Sequence, residues 1–112
     1  MEKIWRVMNI PTFLEISRHS PENCPVYNEK VKKMLLPGIN QLEGLLKKHG
    51  VKMIGGWSVF TEHLTFIVYE APSFEALQKF EMEWEEITKS SSYMTTEIKS
   101  ATSMEEAMKM LK

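Results

Sequence analysis

Glu15, Ser17 and His19 follow one another at a spacing of two in the segment TFLEISRHS. On an extended strand that spacing puts all three side chains on one face. A carboxylate and an imidazole held together out of water form a general base and acid pair, because burial and mutual charge move their proton affinities towards neutrality. Glu15 and His19 are therefore the candidate catalytic residues, with Ser17 between them as a ligand contact. In a purely structural role, Glu15 would instead pair with Lys99.

Cys24 stands five residues after His19, ahead of a helical segment. The field of a helix N-terminus and a nearby imidazolium would favour its thiolate, and Glu22 would oppose it. His19, Cys24, His49 and His63 also supply borderline and soft metal ligands, but their spacing matches no zinc pattern, and no metal site or cofactor is expected. Trp57 and Tyr69 offer aromatic walls with polar tips that could orient a ligand, and His63 in a hairpin loop completes the candidate set.

What the chain lacks narrows its chemistry. All fifteen acids are Glu, so the Ser-His-Asp triad and the EF-hand loop are excluded. Arginine occurs only as Arg6 and Arg18, too few for a multi-arginine phosphate clamp. The net charge of -1 gives no nucleic-acid surface, and neither GxGxxG nor GxxxxGK occurs. Cys24 is the single cysteine and cannot form an intramolecular disulfide. No signal peptide and no run of roughly 18 apolar residues is found, so a cytoplasmic protein without membrane attachment is expected.

The elements that would position these residues read from period and punctuation. A strand is expected over 12–18, ended by His19-Ser20-Pro21. A helix is expected over 25–49, with Tyr27, Val31, Leu35, Ile39, Leu42 and Leu46 as its apolar stripe and Gly50 as its cap. Pro37-Gly38 interrupts it, and a bend or break is expected within two residues of Leu36, either a kink that lets the helix curve around the sheet or a gap through which a ligand could enter. Strands over 51–60 and 64–70 form a hairpin, with a bulge near Gly55-Gly56. Ser73 caps a second helix with Phe74, Leu77, Phe80, Trp84 and Ile87 as its stripe. A last strand over 93–100 precedes a short helix opened by Ser103 and Glu106 and running to Leu111. Nothing divides residues 1–112 into two domains, and residues 1–11 read as an N-terminal extension.

This order is α+β, the ferredoxin-like βαββαβ pattern, with one antiparallel sheet and both helices on one face. Leu14 and Ile16 are expected to pack on the helices, which points Glu15, Ser17 and His19 to the other, uncovered face. Leu64, Phe66 and Val68 oppose Ile67 and Tyr69, so the strand over 64–70 is apolar on both sides. A bare apolar sheet face is an association site, and a second copy related by two-fold symmetry would cover it.

The chain resembles the dimeric α/β-barrel superfamily, and its small uncharacterised members most of all. The resemblance spans His19 to Met104 and is carried by HSPENCP at 19–25, GGW at 55–57 and YEAPS at 69–73. It implies a homodimer packed sheet to sheet and a small apolar or aromatic ligand held between sheet and helices. The superfamily includes cofactor-independent monooxygenases, isomerases and non-catalytic binding proteins. The resemblance thus implies a small-molecule-binding protein, acting either as a cofactor-independent monooxygenase or isomerase or as a non-catalytic dimeric binding or regulatory module. Its haem-degrading members use a histidine on the second helix, and 73–89 contains none.

Overall fold

The computed structural model describes residues 10–112. Most of the expected N-terminal extension, residues 1–9, lies outside the described residues. The elements are β1 (Thr12–Arg18), α1 (Glu29–His49), β2 (Lys52–Val59), β3 (Leu64–Glu70), α2 (Phe74–Thr88), β4 (Thr95–Ala101) and α3 (Met104–Lys109). The strands form one antiparallel sheet in the order β2-β3-β1-β4. This is the ferredoxin-like βαββαβ fold with a short C-terminal helix. No helix among the described residues is long and apolar enough to cross a membrane.

α1 begins four residues later than expected. The Asn28 side chain accepts a hydrogen bond from Val31 N at 3.1 Å and caps the helix there. The backbone before it is already turned, with Tyr27 N and Asn28 N both donating to Cys24 O, so Pro25 lies in a turn. Gly50 ends the helix at φ 66°, a left-handed conformation that favours glycine, and donates to Leu46 O and Lys47 O.

Of the bend or break expected near Leu36, the break does not occur: α1 runs unbroken from Glu29 to His49 through Pro37. A gap opened by two separated helix segments is therefore absent. Gly38 has a different reason to be small. A Cβ at this position would collide with Thr88 Cγ2 and press on the Trp84 ring, so glycine lets α1 and α2 approach closely. Packing between the two helices offsets the hydrogen bond that Pro37 removes.

The core lies between the helices and the sheet. Phe13, Leu45, Val51, Tyr69, Ala71, Leu77 and Phe80 are buried, with Met53, Ile67, Trp84 and Ile98 packed against them. Burial alternates along β1, with Phe13, Glu15 and Ser17 buried and Leu14 and Ile16 only half-buried. The expected orientation of β1 is thus reversed, and Glu15 and Ser17 face the helices. Register explains this: Phe13 is paired with Tyr69 and Glu15 with Ile67. The face with the greater aromatic bulk closes on the helices and carries the polar side chains with it. Leu14 and Ile16 share the open face with Val68 and Phe66. Lys99, paired with Leu14, lies on that open face too and meets Glu97 at 3.8 Å, so it is not the partner of Glu15.

The bulge expected near Gly55-Gly56 is present, with Ile54 as the inserted residue: Met53 pairs with Tyr69 and Gly55 with Val68. It reverses the faces of everything after it. Trp57 pairs with Phe66 and stands 62% exposed on the open face. At the other end of the sheet, β4 starts at Thr95, because a 3-10 turn over Ser90–Ser92 precedes it and the Tyr93 hydroxyl donates to Thr88 O at 2.9 Å. α3 is capped by Ser103, whose side chain accepts from Glu106 N at 3.1 Å.

Candidate functional site

A cavity of about 360 Å³ lies between the sheet and the two long helices. β1 and β3 supply its floor with Glu15, Ser17, Ile67 and Tyr69. Leu35, Ile39 and Leu42 of α1 and Phe80, Glu81 and Trp84 of α2 supply its roof. His19, Cys24 and His63 close one end. The volume falls in the range of small-molecule sites, and so does the combination of apolar walls with a few polar groups.

Glu15 is 6% exposed and meets Glu81 of α2 across the cavity. Glu15 Oε1 and Glu81 Oε1 are buried without a hydrogen-bond partner. Two carboxylates have no donor between them, so the pair is stable only with a proton on one member. Burial, then its hydrogen bond to Glu15 and the Glu15 charge, pushes the Glu81 pKa up to about 10, which favours Glu81 as the protonated member. Tyr69 lies beside them, 3% exposed, and its phenol is raised by burial and then by Glu15 and Glu81. Ser17 Oγ is 3.1 Å from Thr96 Oγ1 on β4.

The second polar group is a pair of imidazoles. The His19 and His63 rings meet edge to face, with centroids 5.2 Å apart, and His19 N donates to His63 O at 3.2 Å. Burial, then the proximity of His63, lowers the His19 pKa. His63 holds φ 53°, a conformation sparsely populated by residues with a side chain. Cys24 is 3% exposed beside them. His49 is elsewhere, with Nε2 2.8 Å from Glu83 Oε1, which also binds Lys48 Nζ at 2.6 Å.

Of the residues expected from the sequence, Glu15, Ser17, His19, His63 and Tyr69 line this one cavity. Trp57, expected as a wall, does not, because the bulge at Ile54 turns it to the opposite face. Glu15 meets Glu81 and His19 meets His63, so the two candidate catalytic residues have separate partners. Glu81 is the residue the sequence reading missed. Its signal was visible: Leu77, Glu81, Trp84 and Thr88 fall four, three and four residues apart, which puts a carboxyl inside an apolar stripe.

The Glu81 proton has a measurable consequence. The folded protein keeps a proton that the unfolded chain releases above its ordinary pKa of 4.5. This contribution to stability is therefore full below pH ~4.5 and is lost as the pH rises towards about 10. Glu81→Gln keeps a donor towards Glu15 and cannot titrate. Urea unfolding between pH ~5 and ~9 should give the wild type a fall relative to Glu81→Gln of at most about 1.4 kcal/mol per pH unit. Parallel curves for the two proteins would show that Glu81 is ionised in the folded state.

The model of a protein family described as "Domain of unknown function (DUF3303)" matches residues 25–112. Among solved structures, the chain is similar to a dimeric ferredoxin-like protein from an uncultured marine organism. The two are 10% identical with a TM-score of 0.46, over 85% of this chain and 90% of that one. No curated protein matches the chain.

Proposed function

We propose that this chain, which belongs to the DUF3303 family, binds a small apolar or aromatic carbonyl compound between sheet and helices and shifts a proton on it. The observation that carries this reading is the Glu15–Glu81 pair in an apolar cavity. One member is ready to accept a proton and the other to deliver one, which is the requirement for an isomerase that works by enolisation. Glu15 takes the proton from the carbon beside the carbonyl, and the C–H electron pair moves into the enolate. Glu81 gives its proton to another carbon of the conjugated system, and the double bond moves. The proton on Glu15 then passes to Glu81 along their mutual hydrogen bond, which restores the starting state. Apolar walls keep water from quenching the enolate, and Tyr69, protonated at any physiological pH, keeps a donor beside the pair.

A titration with 2-tetralone, a small aromatic ketone with acidic hydrogens beside its carbonyl, tests the binding step. Heteronuclear NMR should show saturable shifts at Ser17, Ile67, Tyr69 and Trp84, with Trp57 and Val68 on the open face unmoved. Shifts confined to the open face would contradict the reading.

The assembly we infer is a homodimer joined through that open face. Leu14, Ile16, Phe66 and Val68 are only half-buried there in a single chain, and Trp57 is 62% exposed. A contiguous apolar surface of this kind is rarely left in water. Sedimentation equilibrium should return twice the monomer mass, with an interface above roughly 1,200 Å² in total. A monomer at micromolar concentration would contradict it.

A further inference from the structure

The chain contains three histidines and one cysteine. Two of those histidines and the cysteine converge at one end of the cavity. His19 follows the end of β1, Cys24 follows a 3-10 turn over Pro21–Asn23, and His63 sits in the β2–β3 loop. Their ligating atoms all lie within 4.8 Å of one another. We propose that His19, Cys24 and His63 form a binding site for a zinc-class transition-metal ion whose remaining coordination position opens on the cavity.

Three observations support this, none of which depends on the proton-transfer reading. First, the donor set is two imidazoles and one thiol, which suits zinc and neighbouring borderline metals and suits magnesium or calcium poorly. Second, His19 Nε2 and His63 Nδ1 are buried without a hydrogen-bond partner. Buried imidazole nitrogens are ordinarily satisfied, and a metal ion would satisfy one on each ring. A Cys24–His19 nucleophile would leave His63 without a role. Third, the backbone is already arranged to bring the two rings together. His63 is held in its left-handed conformation, and its carbonyl is fixed by the hydrogen bond from His19 N.

The contraction required is small. Zinc bonded at about 2.0–2.1 Å to nitrogen and about 2.3 Å to sulfur puts tetrahedral ligand atoms about 3.3–3.7 Å apart. Side-chain rotation of about 1 Å closes the difference from the 4.8 Å limit. Three protein ligands with a fourth position open is the arrangement of metal sites that bind or polarise a ligand, whereas structural sites are closed by four. The sequence hides the site because its ligands come from three separate turns and fit no local spacing rule.

The test is a titration of the full chain, stripped with a chelator and kept reduced with a phosphine, first with Co²⁺ and then with Zn²⁺. One equivalent of Co²⁺ should bind, giving a thiolate-to-cobalt charge-transfer band that Zn²⁺ then displaces. Cys24 is the sole cysteine, so that band has one source. Cys24→Ser should remove it. His19→Ala and His63→Ala should each weaken Zn²⁺ binding by more than about a hundredfold, beyond the 10–100-fold of outer-shell changes. His19→Gln and His63→Gln serve if an alanine variant fails to fold by circular dichroism. His49→Gln should bind as the wild type does. Absence of stoichiometric binding tighter than about 1 µM would overturn the proposal. A charge-transfer band that persists in Cys24→Ser, or an equal loss in His49→Gln, would overturn it as well.

Discussion

Phe80→Ala is expected to lower the unfolding free energy by about 3–5 kcal/mol. Phe80 is 1% exposed and stands against Tyr69 edge to face, with ring centroids 5.7 Å apart. It also forms part of the cavity roof. Removing the ring forfeits its transfer energy and its contacts with Tyr69, and the void it leaves joins a cavity already present, so the surroundings cannot collapse to fill it. A domain of this size is stable by roughly 5–15 kcal/mol in total, so the loss is about a fifth of that or more. In urea the midpoint should fall while the slope stays the same, which separates lost stability from a changed unfolded state. A loss under about 1 kcal/mol would mean that Phe80 is not a pillar between α2 and the sheet.

Most of the architecture was legible because it rests on local signals. The side-chain caps at Ser73 and Ser103, the glycine cap at Gly50 and most of the two apolar stripes match the structure, whereas Tyr27 lies before α1 and Ile39 and Phe74, expected to face inward, are exposed. Proline and glycine were harder to interpret. The clash and lost hydrogen bond of Pro37 argue for a bend or break when only α1 is considered, but α1 is continuous, and its close approach to Thr88 and Trp84 at Gly38 packs it against α2 just beyond the proline. That contact is tertiary, and no local pattern encodes it.

The two faces of the sheet show the same limit. The spacing of Glu15, Ser17 and His19 correctly puts the first two on one side of β1, but spacing alone does not say which side meets the helices. The pairing of Phe13 with Tyr69 decides it. For Trp57, the bulge was visible in Gly55-Gly56, but its effect on every later side chain depends on which residue is inserted, and that residue is Ile54. Glu81 escaped notice because an apolar stripe was read for its apolar members alone. An ionisable residue in such a stripe is costly unless it has a partner, so it marks a candidate site.

Proton exchange is the second large effect expected. Under the proposed function, Glu15 and Glu81 together remove and return a hydrogen beside a carbonyl without net reaction, so in D₂O the protein should carry deuterium into 2-tetralone. A positioned base contributes about 10²–10⁴-fold to such a step. Glu15→Gln retains the shape and the hydrogen-bonding capacity of the side chain and cannot accept the proton. Glu43→Gln, on an exposed face of α1 away from the cavity lining, makes the same chemical change and serves as the control.

The most direct test of the central claim is therefore the initial rate of deuterium incorporation into 2-tetralone at neutral pH, followed by NMR. The rate should be saturable and protein-dependent, fall by about 10²–10⁴-fold in Glu15→Gln and stay unchanged in Glu43→Gln. A rate that Glu15→Gln leaves intact, or no protein-dependent exchange from a ketone shown to occupy the cavity, would contradict it.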